Sequence, residues 1–292
     1  MLNALTIDVE DYYQVSAFES VVRFEDWDRY DGRVGDNTRR LLDILDRHDT
    51  KGTFFVLGWV AERHRSLIRS IHQRGHEIGS HGYSHRCIYT QTPEQFREET
   101  RRSKHTLEDI TGAPVIGYRA ASYSITARSL WALRILREEG FRYDSSIYPI
   151  HHDRYGLPGS PRFCHVIADG GAGGLVEFPP STISLMRLTI PVAGGGYLRF
   201  FPYAVTRWAI AHLNAIEQQP AVVFLHPWEI DPGQPRLPGG LVSRFRHYLN
   251  LDKTEHRLAR LLADFRFAPM REVLRRQALL LEPSLCVESP AS

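Results

Sequence analysis

The feature that most constrains the fold of this chain is a regular alternation between short apolar segments and longer amphipathic ones. The apolar segments are typical of buried strands, and the main ones are "ALTIDV", "KGTFFVLGWVA", "PVIGYRA", "LVEFPPST" and "AVVFLHPWEI". The segments between them carry apolar residues at helical spacing, as in "NTRRLLDILDRHDT" and "TRWAIAHLNAIEQQ". Because each helix returns the chain to begin the next strand in the same direction, the alternation predicts an α/β fold with parallel strands and outer helices.

One helix is predicted together with both of its ends. In "TPEQFREETRRSKHTLEDITG", Thr92 is a preferred cap residue, Pro93 suits the first turn, and Gly112 suits the end.

Two glycine-rich segments, "DGGAGG" and "AGGGYLRFFPY", interrupt the alternation. We interpret them as an inserted loop or hairpin that lines one side of a site opening, with a flexible surface loop as the alternative. No internal repeat or linker divides the chain, and residues 278–292 are expected to form a loose tail.

Composition excludes several classes of protein. The 292 residues carry a formal net charge of +2, which gives no case for a nucleic-acid or anionic-membrane partner. Three widely spaced cysteines, Cys87, Cys164 and Cys286, indicate neither a disulfide framework nor a cysteine metal site. The sequence has no leader pattern and no apolar run of the roughly 20 residues that span a bilayer, so we expect a cytoplasmic protein, with peripheral attachment at the inner membrane as the alternative.

Polar motifs follow the predicted strands. Asp8, Glu10 and Asp11 come at the end of the first strand. Carboxylates this close repel each other, and burying them is costly unless a cation pairs with them. The C-terminal ends of barrel strands are where α/β barrels place their sites, so the motifs are expected to converge there.

"SHGYSH" places His81 and His85 four residues apart after another strand. Two neutral imidazoles and a carboxylate would make a three-ligand site for zinc or a similar divalent ion, with positions left for water and substrate. Arg119, Asp144 and His226 follow three further strands; taken singly, they could be a surface arginine, a helix cap and a core histidine.

These segments resemble the five ordered motifs of the polysaccharide deacetylases, the NodB-homology carbohydrate esterases. The motifs stand here as "TIDVED", "SHGYSH", "YRAASYS", "YDSS" and "FLHPW", over roughly residues 5 to 230. The later segments "LVEFPPST", "AGGGYLRFFPY" and "RFRHYLNLDKTEHRLARLLADFRF" resemble the branch linked to exosortase and exopolysaccharide loci, in which a C-terminal extension follows.

The resemblance implies a distorted (β/α) barrel of about seven strands, with the glycine-rich insertion and a C-terminal helical extension. It implies a single domain over residues 1–277, divided into a motif-bearing barrel (1–230) and an extension (231–277).

The resemblance also implies roles for the motif residues. Asp8 matches the catalytic base, Arg119 the arginine that holds this base, and His226 the general acid. Asp144 matches the acid that orients His226. His81 and His85 match metal ligands, and the metal would be zinc, with cobalt, nickel or manganese as alternatives.

The third metal ligand stays open at this point. The commonest first motif has two adjacent aspartates, but Val9 follows Asp8 here. Strand alternation puts Glu10 on the same side as Asp8, whereas an early strand end would free Asp11 to turn in. Either could be the ligand, and the other could accept a hydrogen bond from an imidazole N–H and so orient that ring.

Aromatic and glycine-rich positions near the motifs suggest a sugar-binding groove, because such rings combine an apolar face with a polar tip. The predicted substrate contacts are Tyr83, Tyr123, Tyr197, Arg199 and Trp228.

The predicted activity is metal-dependent removal of N-acetyl groups from an exopolysaccharide or its lipid-linked oligosaccharide precursor. The alternatives are a small-molecule or cyclic amide hydrolase on the same fold, and a carbohydrate-binding relative without activity.

Overall fold

The computed structural model describes residues 1–167, 174–186, 188–192 and 194–280. The glycine-rich segment "DGGAGG", apart from Gly174, and residues 281–292 of the predicted loose tail lie outside this part of the chain.

The strands of the described residues contribute to one large sheet and one separate hairpin. They are β1 (Leu2–Val9), β2 (Thr53–Val56), β3 (Glu77–Ser80), β4 (Gly117–Tyr118), β5 (Tyr143–Asp144), β6 (His165–Ile167), β7 (Leu175–Glu177), β8 (Thr182–Leu185), β9 (Leu188–Pro191), β10 (Val222–Leu225) and β11 (Arg266–Ala268).

The α-helices of the described residues lie mainly between these strands. They are α1 (Val34–Arg47), α2 (Gly58–Arg63), α3 (Arg65–Gln73), α4 (Pro93–Thr111), α5 (Trp131–Glu138), α6 (Gly195–Phe200), α7 (Tyr203–Ala215), α8 (Leu241–Tyr248), α9 (Leu251–Asp264) and α10 (Met270–Arg276). Short 3-10 helices span Ser16–Phe18, Phe24–Arg29, Ile88–Thr90, Ala121–Tyr123 and Pro227–Ile230.

The large sheet is a curled, parallel half-barrel. Its order is β10–β1–β2–β3–β4–β5–β7, with every neighbouring pair parallel. β6 adds an antiparallel edge beside β7, and β11 pairs with the start of β1. The predicted α/β barrel of about seven strands is therefore confirmed. Because parallel strands end at one edge, the residues that follow β1, β3, β4 and β10 meet there.

β1 lies inside the sheet, between β10 and β2, and is buried over nearly its whole length. A strand that is covered on both faces has a continuous run of apolar residues rather than alternating apolar and polar residues, which explains the sequence of β1. Asp8 is therefore a carboxylate held in the interior, with only 1% of its surface exposed.

α4 has the ends that the sequence predicts. The Thr92 side chain accepts from the Gln95 backbone N–H, the Gln95 side chain accepts from the Thr92 backbone N–H, and Pro93 occupies the first turn. Gly112 ends the helix in the left-handed conformation, with φ 67°.

Two segments differ from their predicted structures. In "KGTFFVLGWVA" the strand stops at Val56 and helix α2 begins at Gly58, because the Gly58 backbone N–H donates to the carbonyl of Gly82. The second glycine-rich segment forms helix α6 rather than a loop or hairpin, and the hairpin β8–β9 precedes it.

The C-terminal segment is built into the barrel rather than appended to it. β11 pairs with β1, and Met270, Val273 and Leu274 of α10 pack in one apolar cluster with Ala4 and Phe55. Within the described residues, no helix combines the length and apolar character that crossing a bilayer requires.

Candidate active site

Asp8 and Arg119 form a buried ion pair at the edge of the sheet. Arg119 Nη1 lies 2.7 Å from Asp8 Oδ1, and Arg119 is fully buried. The guanidinium also donates to Thr6 Oγ1 at 2.7 Å and to Ser145 Oγ at 2.9 Å. These bonds satisfy the buried guanidinium and fix one oxygen of Asp8, while Asp8 Oδ2 faces the cavity side, 3.9 Å from His226 Nε2.

Glu10, His81 and His85 form a compact cluster beside this ion pair. One ligand atom from each lies within 4.8 Å of the others, and all three residues are buried. Glu10 Oε2 is 2.7 Å from His85 Nε2 and 4.0 Å from His81 Nε2. His85 adopts the left-handed backbone conformation (φ 55°), an uncommon state outside glycine that recurs at functional sites.

Neighbouring groups orient the members of this cluster. His81 Nδ1 donates to the carbonyl oxygen of Arg119 at 2.8 Å, which leaves His81 Nε2 as the atom facing Glu10. Trp228 Nε1 donates to Glu10 Oε1 at 3.2 Å. Arg119 therefore supports both parts of the site, Asp8 through its side chain and His81 through its backbone.

The charges of the cluster favour a cation. Burial alone would raise the pKa of Glu10, but His85, His226 and His81 around it lower that pKa far below its usual range. Burial lowers the pKa of His81 to about 4, so this imidazole is neutral near pH 7. A carboxylate and a neutral imidazole are the ligand forms that divalent transition metals take.

The donor set fits a divalent metal. Buried Glu10 Oε2 lies 2.7 Å from His85 Nε2 in a geometry that makes no regular hydrogen bond, and a cation held between these two atoms would satisfy both. Glu10, His81 and His85 supply one oxygen and two nitrogens, a set that zinc and its neighbours in the first transition row accept.

Asp11 does not join the cluster, so the structure favours Glu10 over Asp11 as the third ligand. Asp11 Oδ2 accepts from the backbone N–H groups of Arg33 and Val34 at 2.6 and 2.8 Å, and its Oδ1 accepts from Tyr12. Of the two alternatives left open by the sequence, Asp11 is not brought to the cluster, because this carboxylate stabilises the N-terminus of helix α1.

His226 is oriented by Glu229 and not by Asp144. His226 Nδ1 lies 2.6 Å from Glu229 Oε1, and the His226 backbone N–H donates to the same oxygen at 3.0 Å. Arg199 Nε donates to Glu229 Oε2 at 2.5 Å, which completes a chain from arginine through carboxylate to histidine.

This arrangement keeps His226 charged. Burial would lower the pKa of His226, but Glu10, Glu229 and Asp8 raise it to about 9. Burial likewise would raise the pKa of Glu229, but Arg199 and His226 lower it to about 2. An imidazolium whose Nδ1 is held by a carboxylate presents its Nε2 proton toward the cavity.

The prediction that Asp144 orients His226 is wrong because Asp144 has other partners. The Asp144 carboxyl accepts from Ser146 Oγ at 2.5 Å and hydrogen-bonds to the buried carboxyl of Glu177 on β7. Burial raises the pKa of Asp144 to about 6 and that of Glu177 well above its usual value. Asp144 Oδ2 and Glu177 Oε2 are both buried without another hydrogen-bond partner, so a proton held between the two carboxyl groups would satisfy both.

A cavity of about 750 Å³ opens over these residues. The described residues that line it include Asp8, Glu10, His81, His85, Tyr123, Tyr155, Tyr197, Phe224, His226 and Trp228. Tyr123 and Tyr197 therefore stand where the sequence analysis expects substrate contacts. Trp228 stacks on His226 with ring centroids 5.1 Å apart, and so supports the histidine as well as the cavity wall.

Two predicted substrate contacts have other structural partners. Tyr83 is absent from the cavity lining in the described chain; its hydroxyl donates to Glu62 at 2.8 Å, and Arg102 stacks over its ring. Arg199 reaches the cavity wall, but its guanidinium is bound by Glu229 and by the carbonyl oxygens of His247 and Leu249.

The glycines of "AGGGY" allow a close packing contact beside the cavity. A Cβ on Gly194 would lie 2.2 Å from the Phe224 ring, and one on Gly195 would lie 2.8 Å from it. The glycines thus let helix α6 pack against the end of β10, next to His226, and Gly195 and Gly196 also line the cavity.

Comparisons with known proteins agree with this site. Residues 21–143 match the family model "Polysaccharide deacetylase", and residues 145–275 match a second model, "Domain of unknown function (DUF3473)". Over residues 21–143 the chain is therefore similar to polysaccharide deacetylases. The structure named "Crystal structure of putative polysaccharide deacetylase from Mycobacterium smegmatis" is 26% identical to this chain, with a TM-score of 0.60 over 97% of this chain and 94% of that one.

Curated relatives of the family match over shorter segments. "Putative polysaccharide deacetylase YheN" of Bacillus subtilis is 33% identical over 36% of this chain and 38% of the relative. The "Peptidoglycan deacetylase" of Helicobacter pylori is 31% identical over 42% of this chain and 39% of the relative. The chain therefore spans less than half the length of these two relatives.

The sequence did not predict that Glu229 and Arg199 support His226. Glu229 stands three positions after His226 in "HPWE", and a carboxylate at that spacing in a tight turn is a usable signal. The contact between Arg199 and Glu229 joins residues 30 positions apart. Nothing in their local sequence indicates that contact, since it depends on how α6 packs.

Proposed function

We propose that this chain is a metal-dependent hydrolase that removes N-acetyl groups from a glycan. The observation that carries the proposal is the convergence on one cavity of an arginine-held aspartate, a Glu-His-His cluster and a carboxylate-held histidine. The match of residues 21–143 to the polysaccharide deacetylase model and the names of the relatives support the same reaction. The glycan that we propose is an exopolysaccharide or its lipid-linked precursor.

In the proposed mechanism, Glu10, His81 and His85 hold the divalent ion, with zinc as the first candidate. Such an ion, when bound, lowers the pKa of water and polarises an acetyl carbonyl. Asp8 Oδ2 accepts the proton of the attacking water, while Arg119 keeps Asp8 Oδ1 fixed.

His226 then supplies the proton that an amine leaving group needs. Its Nδ1 is bound to Glu229, so the proton on Nε2 is the one that passes to the amide nitrogen. Trp228 and Glu229 prevent rotation of the imidazole, which keeps Nε2 directed at the reacting atoms.

Acetate release from N-acetylated oligosaccharides tests the proposal. The purified chain is incubated with chitin oligomers, with N-acetylated exopolysaccharide fragments and with separate additions of zinc, cobalt, nickel and manganese. We expect acetate and a free amine in equal amounts, and loss of both with a chelator.

Paired variants separate catalysis from binding in this experiment. Asp8→Asn should abolish acetate release and leave the metal content unchanged. Glu10→Ala should abolish both acetate release and metal binding. Each removal of a catalytic group is expected to lower kcat by about 100-fold or more. Glycan binding without acetate release under every metal condition would instead support a binding protein.

A further inference from the structure

One wall of the cavity is apolar and open to solvent. Phe200 at the end of α6 and three residues of α8, Leu241, Val242 and Phe245, line this part of the cavity. Their exposed fractions are 59%, 83%, 62% and 58%, respectively. We call these four residues the apolar rim. Large side chains exposed side by side usually mark an interaction surface.

The position of the rim on α8 follows from helical geometry. Leu241, Val242 and Phe245 stand at i, i+1 and i+4 and so share one face of the helix. The opposite face is anchored, because His247 stacks on Trp228 with ring centroids 4.1 Å apart and bonds to Gln234. The rim is therefore held on a rigid element rather than on a free loop.

Positive charge surrounds the rim. Arg236 and Arg244 line a shallow depression together with Leu241 and Phe245, and Arg246 borders the main cavity. The Asp153 carboxylate lies 4.0 Å from the Arg246 guanidinium. The described residues that line the depression include two arginines and no acid, which gives this surface a local positive charge that the near-neutral whole chain does not show.

We infer that the apolar rim and its arginines dock the protein on an anionic phospholipid surface. Apolar side chains that project beside arginines are the pattern by which short amphipathic elements insert at the boundary between headgroups and acyl chains. A second copy of the chain fits less well, because a two-fold contact through the rim would bring two arginine clusters together. Docking in this orientation places the mouth of the cavity against the headgroups, where a membrane-attached glycan would enter.

Co-sedimentation with lipid vesicles tests this inference. The intact chain is mixed with phosphatidylcholine vesicles that contain about 30% phosphatidylglycerol, and separately with vesicles of phosphatidylcholine alone. We expect the pelleted fraction to be about fivefold or more higher with the anionic vesicles, and to fall as salt concentration rises.

Surface variants assign the binding to the rim. Leu241→Ser combined with Phe245→Ser should lower pelleting on anionic vesicles to the level seen with phosphatidylcholine alone. Arg244→Gln combined with Arg246→Gln should lower it as well and should weaken its dependence on salt. Ile216→Ser, which changes a 70% exposed side chain at the end of α7, is the matched control and should pellet like the parent. Unchanged thermal unfolding shows that each variant is folded.

Three outcomes would overturn the inference: no pelleting of the parent chain, equal pelleting on both kinds of vesicle, or unchanged pelleting of the rim variant. A rim-dependent dimer in sedimentation velocity without vesicle binding would also overturn it, in favour of a self-association surface. The inference goes beyond the proposed function and does not depend on it. Vesicle binding needs neither metal nor glycan, so a failure of acetate release leaves this test intact.

Discussion

At the scale of single residues, the neighbouring carboxylates of Glu10 and Asp11 have different partners and therefore different roles. Glu10 faces two imidazoles, whereas Asp11, the next residue, accepts three backbone N–H groups. β1 ends at Val9, and the chain turns there, with the Glu10 backbone N–H donating to the carbonyl oxygen of Asp8 at 3.1 Å. This turn places one carboxylate in the cluster and the other at the start of α1.

Substitution of these two neighbours should separate metal binding from stability. Glu10→Ala is expected to lose stoichiometric zinc, since it removes the oxygen ligand. Asp11→Ala should keep the zinc and lower the free energy of unfolding by about 1 kcal/mol, because it removes bonds at a helix N-terminus. Metal analysis and denaturant unfolding measure the two effects, and zinc loss in the Asp11 variant would contradict the assignment.

Substitution of Glu229 should move the alkaline limb of the pH profile. Glu229 is among the groups that raise the pKa of His226 to about 9, so Glu229→Gln lowers that pKa. His226 must be protonated to act as the acid. As pH rises, the variant should therefore lose activity at a lower pH than the parent does. The profile of kcat/KM measures this limb.

Asp144→Asn is the matched comparison for this pH profile. It should leave the alkaline limb in place, because Asp144 does not contact His226. A shift with Asp144→Asn and none with Glu229→Gln would restore the original assignment.

At the scale of elements, the paired strands β5 and β7 place two buried acidic residues, Asp144 and Glu177, side by side. Asp144 and Glu177 are opposite each other in the register of these parallel strands, and both are fully buried. A pair of buried carboxyl groups is stable when the two share a proton. The pair therefore ties the stability of this side of the barrel to pH.

The shared proton predicts that stability falls as pH rises from about 4 to above 6. The usual pKa of Asp144 is 3.8 and its folded value is about 6, so in this interval the folded state keeps a proton that the unfolded state has released. The free energy of unfolding then decreases as pH rises, by about 1–3 kcal/mol over the window.

Glu177→Gln tests this pH dependence. An amide can still accept from the Ile147 backbone N–H and can donate to Asp144, so the fall between pH 4 and pH 6 should become shallower. Glu272→Gln, on the surface of α10, is the control and should keep the parent slope. Denaturant unfolding at several pH values measures the slopes, and an unchanged slope in the Glu177 variant would exclude a shared proton.

At the scale of the whole molecule, the site is assembled from segments far apart in sequence. Its residues follow β1, β3, β4 and β10, and α6 and α8 add Arg199 and His247 behind them. The C-terminal strand β11 also pairs with β1, which carries Asp8. Metal affinity and global stability should therefore be linked.

A divalent metal is expected to stabilise the folded chain. Zinc at about 100 times its Kd should add about 2.7 kcal/mol to the free energy of unfolding, and so raise Tm by about 5 °C. Thermal unfolding with and without chelator measures the shift. The Glu10→Ala variant should show almost no shift, and an equal shift in that variant would place the metal elsewhere.

Sequence alone was enough to predict the strand and helix alternation and the ends of α4, and to select Asp8, His81, His85, Arg119 and His226, which the structure brings together. Each of these is a local signal: a hydrophobic period, a cap, or a polar residue directly after a strand. The tertiary structure alone decided that Glu229 and Arg199 support His226, that Asp144 pairs with Glu177, and that the apolar rim stands at the mouth of the cavity. These are contacts between separate elements, whose packing sets their distances and is not encoded in any single segment.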